Sequence, residues 1–107
     1  MTKICAIYAR SSAAKAEFAQ NLQIERCAVL ATRCGDEISA TYADSGVAAS
    51  AGKPELCRLL ADCVAGQIDT IYVSSRDRIS RNLDDFLSFM SITQKHDVQV
   101  LFLEDAV

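Results

Sequence analysis

The chain alternates between short, nearly continuous apolar segments and longer segments in which apolar residues recur every three or four positions. Segments of the first kind are typical of buried strands, and they cover residues 3–9, 37–43, 69–74 and 98–103. The longer segments have the period of amphipathic helices. They predict one helix over about 14–33, a second from Pro54 to just before Gly66, and a third over about 83–95.

Cap residues and apolar spacing predict where each helix ends and which face it buries. Gly35 closes the first helix, Pro54 suits the first position of the second, and Asn82 is expected to cap the third. The residues expected to face the core are Phe18, Leu22 and Val29 on the first helix, Leu56, Leu59, Leu60, Cys63 and Val64 on the second, and Leu83, Phe86, Leu87 and Met90 on the third.

Strands that alternate with helices imply right-handed crossovers and a parallel sheet covered on both faces. We therefore predict an α/β fold with three αβα layers and a mostly parallel sheet in the flavodoxin-like order 2-1-3-4. The 107 residues fit a single domain. Residues 45–53 are rich in Gly, Ala and Ser and are expected to form a mobile loop.

Composition narrows the function classes. Apolar runs are too short for a membrane span and the amino terminus lacks the order of an export signal, so we expect an intracellular, cytoplasmic protein. The five cysteines contain no Cys-x-x-Cys pair, which favours reduced, buried thiols over a metal site. A net charge of −3 argues against a free-standing nucleic-acid binder.

Polar residues follow the predicted strands at their carboxyl ends, where parallel sheets bind ligands. An extended first strand would also place Tyr8, Arg10 and Ser12 on one side. The other residues expected at this rim are Asp44 after strand 2, Lys53 at the entry to the second helix, and Asp77, Arg78 and Arg81 after strand 3. A hydroxyl among permanent cations suggests phosphate chemistry.

Two of these segments resemble motifs of the serine recombinases, the resolvase and invertase family. Tyr8-Ala9-Arg10-Ser11-Ser12 is similar to the Tyr-x-Arg-x-Ser motif, and Asp77-Arg78-Ile79-Ser80-Arg81 is similar to the Asp-Arg-Leu-x-Arg motif. Gln23 matches a helix glutamine of the family, and Asp44 matches the aspartate after strand 2. The order and spacing agree over nearly the whole chain.

The resemblance implies a DNA recombinase catalytic domain in which Ser12 attacks a phosphodiester, forms a 5′-phosphoserine link and frees a 3′-hydroxyl. Arg10, Arg78 and Arg81 would stabilise the phosphate without a metal or other cofactor. Asp77 would orient Arg10 or Arg78, the role we prefer because an aspartate among arginines stays ionised, or help proton transfer to the leaving 3′-oxygen. Lys53 stands where the family usually has an arginine. Tyr8, Gln23 and Asp44 would bind phosphate or support the site.

The resemblance also implies DNA as the partner of a full-length protein that forms a homodimer or homotetramer. Residues 1–107 would be a catalytic domain that ends before a long dimerisation helix and a DNA-binding domain. We expect weak DNA binding, and no complete recombination, from this fragment alone.

Other interpretations remain open from the residues. Ser11 and Ser12 could cap a helix, and Arg78 and Arg81 could form an exposed pair with a nearby aspartate. At the level of function, one alternative is a non-catalytic recombinase-like module for protein contacts. Another is a receiver-like phosphotransfer domain with Asp44 and Asp77 as magnesium ligands. Walker and Gly-x-Gly-x-x-Gly motifs are absent from the sequence, so a nucleotide cofactor has no support.

Overall fold

The computed structural model describes residues 3–11, 17–46 and 52–106. Within them the predicted alternation of strands and helices is present. The strands are β1 (Cys5–Arg10), β2 (Ile38–Asp44), β3 (Thr70–Val73) and β4 (Gln99–Phe102). The helices are α1 (Glu17–Arg33), α2 (Pro54–Val64) and α3 (Leu83–Lys95), with short 3-10 turns at Arg76–Arg78 and Leu103–Asp105.

In the described part of the chain, the strands form one four-stranded sheet in the order β2-β1-β3-β4. All three pairings are parallel, so the predicted fold class and strand order are confirmed. The pairing of β1 with β3 ends at Tyr8↔Val73, whereas its pairing with β2 continues to Arg10↔Asp44. Strand β1 therefore extends two residues beyond its neighbour β3 at the carboxyl edge. Arg10 lies at the switch point, the place between β1 and β3 where the strand order reverses direction.

The sheet is covered on both faces, and β1 is fully buried between them. On one face, Tyr8, Ile71 and Val73 pack with residues of α2 and α3, among them Leu59 and Phe89. On the opposite face, residues of β1 and β3 pack against α1; this cluster contains Cys5, Ile7, Cys27, Ala31 and Tyr72. A central strand buried on both faces explains why its sequence is nearly continuously apolar rather than alternating.

The predicted helix ends are accurate where a local signal defines them. The Asn82 side chain accepts a hydrogen bond of 3.1 Å from the Asp85 N–H and caps α3. Pro54 is the first residue of α2. Gly35 and Gly66 follow α1 and α2 with φ angles of 78° and 76°, the left-handed conformation that ends a helix and favours glycine.

The predicted inward face of α1 is wrong. Phe18 is 79% exposed and Val29 is 50% exposed, while Leu22 is only partly buried. The buried positions of this helix are Gln20, Gln23, Cys27 and Ala31. These positions also follow a helical period, and two glutamines are acceptable on it because β1 and the neighbouring loops supply hydrogen-bond partners.

Parts of the predicted faces of α2 and α3 are wrong as well. Leu83 and Leu87 are 68% and 53% exposed, and Val64 is also exposed. In α3, Phe86 and Met90 face inward as predicted, and Phe89 and Thr93 complete the buried face in place of Leu83 and Leu87. Leu87 lies roughly 100° round the helix from Phe86, so it points away from the sheet although it belongs to the same apolar run.

The cysteines are reduced, but they differ in burial. All five cysteines are free; Cys5, Cys27 and Cys63 are buried, but Cys34 and Cys57 are exposed, contrary to the prediction of buried thiols. Burial raises the pKa of Cys27 and Cys63 to about 11. Residues 47–51 of the loop predicted to be mobile lie outside the described residues. Among the described helices, none combines the length and apolar character needed to cross a membrane.

Candidate active site

Arg10 and Arg78 brace the carboxyl ends of β1 and β3 against each other. Arg10 Nε donates to the Arg78 carbonyl at 3.2 Å, and Arg78 Nη1 donates to the Arg10 carbonyl at 3.1 Å. Arg10 Nη2 also donates to the Asp77 carbonyl at 3.1 Å. These bonds hold the two predicted motifs together, although they are far apart along the chain.

Gln23 of α1 fastens the end of β1 from the other side. Its Nε2 donates to the Arg10 carbonyl at 3.0 Å, and its Oε1 accepts from the Arg10 N–H at 3.4 Å. The same Oε1 accepts from Ser74 Oγ at 3.4 Å, just after β3. Gln23 is 8% exposed, so this amide supports the backbone at the switch point rather than facing solvent.

The charges at this edge are closely coupled. Arg10 is 1% exposed, and its pKa is lowered by burial first and by the neighbouring Arg78 cation second. An arginine nevertheless stays protonated in a protein. Asp77 has a lowered pKa because the Ser75 hydroxyl donates to its carboxylate and because Arg78, Arg81 and Arg10 are near. The carboxylate is therefore ionised and sits among cations.

Arg78 carries a further sign of an incomplete polar environment. Its Nε is buried, and among the described residues it has no hydrogen-bond partner. A buried donor without a partner is unfavourable, and a ligand or an ordered water can supply the missing acceptor. Arg81 is exposed three residues further on, and its charge acts on both Asp77 and Arg10.

Asp44 links strand β2 to the amino terminus of α2. Its Oδ2 accepts from the Tyr8 hydroxyl at 2.7 Å and from the Leu56 N–H at 3.1 Å, while Oδ1 accepts from the Glu55 N–H at 3.0 Å. Lys53, at the cap position, makes no side-chain cap hydrogen bond. Asp44, on the neighbouring strand, thus caps the amino terminus of α2 directly. The pKa of Tyr8 is raised by burial first and by the Asp44 carboxylate second.

Lys53 is placed beside the second motif by this capping. It is partly buried and lines a cavity of about 270 Å³ between α2 and α3, together with Ile79 and Ser80. Ile79 and Ser80 are the two residues between Arg78 and Arg81. The structure therefore places Lys53 on the same cavity as the segment between Arg78 and Arg81.

Of the two adjacent serines after β1, the structure describes Ser11. Ser11 is 3% exposed; its hydroxyl donates to Gln20 Oε1 at 2.8 Å and accepts from the Gly46 N–H at 3.3 Å. Its own N–H donates to the Asp44 carbonyl at 3.0 Å. Ser12 lies outside the described residues.

Sequence reasoning missed several residues that hold this edge in place. Gln20 accepts from Ser11 and from Ser45 Oγ at 2.9 Å, and its position three residues before Gln23 was the available signal. Arg76 binds Asp105 with two hydrogen bonds of 3.0 and 2.8 Å, which ties the Arg76–Arg78 turn to the segment after β4. No local pattern indicates that pairing, because its partners are distant in sequence.

Among residues 3–11, 17–46 and 52–106, no group of three or more His, Cys, Asp or Glu side chains is arranged to hold a metal ion. The Asp44 carboxylate is used by Tyr8 and by the first turn of α2. The arrangement instead places the guanidinium groups of Arg10 and Arg78 at the end of β1, with the charge of Arg81 acting on Arg10. Such groups bind phosphate oxygens and stabilise negative charge.

Comparison with known proteins identifies the family. The family model described as Resolvase, N terminal domain, matches residues 5–107. The chain belongs to this family, that of the serine recombinases. No curated protein matches the chain at a significant level.

Solved structures agree with this assignment. The N-terminal catalytic domain of TP901-1 integrase is 29% identical, with a TM-score of 0.89, and the match covers 98% of this chain and 81% of that one. A resolvase family site-specific recombinase from Streptococcus pneumoniae is 25% identical, with a TM-score of 0.86, and the match covers 99% and 75%. The C-terminal catalytic domain of ISC1926 TnpA, an IS607-like serine recombinase, shares the fold at 20% identity and a TM-score of 0.79, over 92% and 66%. The chain is thus a recombinase domain of the resolvase type.

Proposed function

We propose that this recombinase domain cleaves and rejoins DNA by serine chemistry, with Ser12 as the nucleophile. The observation that carries the proposal is the pair of hydrogen bonds between Arg10 and Arg78 at the end of β1, with the charge of Arg81 acting on Arg10. Lys53 lines a cavity together with Ile79 and Ser80, which lie between Arg78 and Arg81. Membership of the resolvase family supports the reaction class.

The choice between the adjacent serines rests on Ser11. The Ser11 hydroxyl is buried, donates to Gln20 and accepts from Gly46. It would have to break this network before it could attack a phosphate. Ser12, which also fits the spacing of the family motif from Arg10, is the better nucleophile.

In the proposed step, Ser12 Oγ attacks the phosphorus of a DNA phosphodiester. The O–P bond to serine forms, the bond from phosphorus to the 3′-oxygen breaks, the serine proton leaves to a base, and the 3′-oxygen takes up a proton. Negative charge grows on the non-bridging oxygens, where Arg78 and Arg81 would stabilise it. The reverse attack by a 3′-hydroxyl rejoins the strand.

The remaining residues have supporting roles in this proposal. Arg10 is so deeply buried that it would act mainly by holding the Asp77–Arg78 backbone and by adding positive potential. Asp77, kept ionised by Ser75 and the arginines, would orient the guanidinium groups. Tyr8, Gln23 and Asp44 would keep the strand ends and α2 in place, and Lys53 would contact a phosphate as a point charge.

Within the full-length protein, DNA is the proposed partner, and assembly as a dimer or tetramer would bring two duplexes together. A net charge of −3 for these residues supports the view that much of the affinity for DNA comes from elsewhere in such an assembly.

The experiment is covalent trapping on DNA. The full-length protein is mixed with a nicked suicide substrate, and the protein–DNA adduct is measured for the unsubstituted chain, Ser12→Ala and Ser11→Ala. We expect adduct from the unsubstituted chain, slower but still Ser12-dependent adduct from Ser11→Ala, and none from Ser12→Ala.

Adduct formation by Ser12→Ala but not by Ser11→Ala would show that the nucleophile is misassigned. A complete lack of adduct from the unsubstituted protein would instead favour the non-catalytic module for protein contacts. The lysine at position 53 is the feature of the sequence that supports that alternative, because an ammonium group lacks the planar fork of an arginine.

A further inference from the structure

One side-chain oxygen of α1 accepts hydrogen bonds from the loops that follow β1 and β2. Gln20 Oε1 accepts from the Ser11 hydroxyl at 2.8 Å and from the Ser45 hydroxyl at 2.9 Å. Gln20 is 8% exposed, and Ser11 is 3% exposed. A carbonyl oxygen has two lone pairs, so both acceptor positions of the Gln20 amide oxygen are used.

The same network reaches the turn after β2. The Gly46 N–H donates to Ser11 Oγ at 3.3 Å, and the Ser11 N–H donates to the Asp44 carbonyl at 3.0 Å. Ser11 is therefore held through both its backbone and its side chain. Since Ser12 follows it directly, these bonds define the position from which the chain enters residue 12.

We propose that Gln20 is a positioning residue for the recombination reaction: it holds Ser11, the residue directly before the proposed nucleophile, against the Ser45–Gly46 turn. The inference rests on the proposed function, because it assumes that Ser12 is the nucleophile. In this role Gln20 contacts neither DNA nor the reacting atoms, and it acts through its hydrogen bonds with Ser11 and Ser45.

The physical basis is the sensitivity of phosphoryl transfer to alignment. A nucleophile displaced by about 1 Å can lose roughly a hundredfold in rate, because attack must be in line with the leaving oxygen. Replacing Gln20 by leucine leaves the size of the side chain similar but removes the acceptor. The buried Ser11 hydroxyl then loses its acceptor, and with it one of the bonds that hold the residue before Ser12.

The test compares Gln20→Leu with Asn21→Leu, a polar-to-leucine change at an exposed position of the same helix. In the full-length protein, we measure the rate of covalent adduct formation on a nicked suicide substrate at saturating DNA, and separately the DNA dissociation constant. Gln20→Leu is expected to slow adduct formation about ten- to a hundredfold. Its dissociation constant should change by no more than about twofold, because the phosphate contacts are elsewhere. Asn21→Leu should match the unsubstituted protein in both.

The double variant Ser11→Ala/Gln20→Leu distinguishes a positioning role of Gln20 from an effect on stability alone. With both partners apolar, no buried hydroxyl is left without its acceptor, and the midpoint of urea unfolding should recover most of the loss seen in Gln20→Leu. A positioning role leaves its adduct rate low despite that recovery. An adduct rate that returns together with the unfolding midpoint would overturn the inference.

The reaction itself has a separate readout. Adduct formation by the unsubstituted protein that depends on Ser12, combined with an unchanged rate in Gln20→Leu, removes the positioning role and leaves the cleavage mechanism standing. If the unsubstituted protein forms no Ser12-dependent adduct, the mechanism fails, and the role of Gln20 fails with it.

Discussion

Arg10 and Arg78 donate hydrogen bonds to each other's backbone carbonyl, at 3.2 Å from Arg10 Nε and 3.1 Å from Arg78 Nη1. Two like charges in contact would repel, yet each guanidinium is oriented by the partner's carbonyl and the nearby Asp77 carboxylate offsets part of the charge. The pair therefore joins the end of β1 to the turn that follows β3 and concentrates positive charge at the carboxyl edge of the sheet. An arriving phosphate would relieve the repulsion, as the proposed cleavage of DNA needs.

The buried Arg10 and the exposed Arg81 should differ in their effect on stability, although both should affect activity. Arg10→Ala leaves the Arg78 and Asp77 carbonyls without their donors, and we expect it to lower the free energy of unfolding by about 2 to 4 kcal/mol. Arg81→Ala, at an exposed position, should change it by about 0.5 kcal/mol or less. Both should slow adduct formation, Arg81→Ala by roughly a hundred- to a thousandfold. Urea denaturation and the trapping assay measure the two effects; an Arg10→Ala protein of unchanged stability would contradict the bracing role.

Asp44 is expected to matter for folding through the cap it provides to α2. Asp44→Ala removes the acceptor for two helix N–H groups and for the buried Tyr8 hydroxyl, so we expect a loss of about 2 to 4 kcal/mol in unfolding free energy. Tyr8→Phe removes only one of these bonds and should lose about 1 kcal/mol. A double-variant cycle measures the coupling between them. Additive effects would show that the Tyr8–Asp44 bond contributes nothing to stability.

The variant Lys53→Arg tests whether the ammonium group of lysine, a point charge, limits the rate of adduct formation. The guanidinium fork can make a second hydrogen bond to a phosphate, worth about 1 kcal/mol, which corresponds to roughly a fivefold faster adduct formation. Lys53→Met, which keeps the length and removes the charge, should be slower than the unsubstituted protein. Equal rates for all three side chains would remove Lys53 from the proposed site.

The lowered pKa of Asp77 gives a signed pH dependence. Its ordinary value is 3.8, and the hydrogen bond from Ser75 is the largest cause of the lowering, followed among the favourable causes by the Arg78 charge. A depressed folded-state pKa stabilises the fold above the unfolded-state value, and that stabilisation is lost as the pH falls from about 4 through the folded-state pKa. Asp77→Asn should flatten this part of the profile, and Ser75→Ala should flatten it partly. Unfolding free energies from urea titrations across this range give the slopes; parallel profiles for all three proteins would contradict the assignment.

The corrected face of α3 is open to a direct comparison. Phe89 is 2% exposed and packs in the core, so Phe89→Ala should lower the free energy of unfolding by about 3 to 5 kcal/mol. Leu87 is 53% exposed, and Leu87→Ala should change it by about 0.5 kcal/mol or less. Thermal or urea unfolding of the two variants measures this. Similar losses for both would mean that Leu87 is covered in solution.

The sequence alone determined the order of elements, the parallel sheet and the edge on which the motifs lie. These follow from short-range signals: a buried strand such as β1 needs a continuous apolar run, Pro54 can begin a helix, and Asn82 can cap one. Parallel strands then bring their carboxyl ends to one edge, so the meeting of Arg10 with Arg78 was predictable from topology.

The tertiary structure decided what each polar group does at that edge and which helix face is buried. Gln20 lies inward because the loops after β1 and β2 supply hydroxyl groups that donate to its amide oxygen, whereas Phe18 remains 79% exposed. Asp44 became a helix cap instead of a free carboxylate because α2 begins beside the end of β2. Such contacts join residues distant along the chain, and periodicity reports only the spacing of neighbours, so it cannot assign partners across the fold.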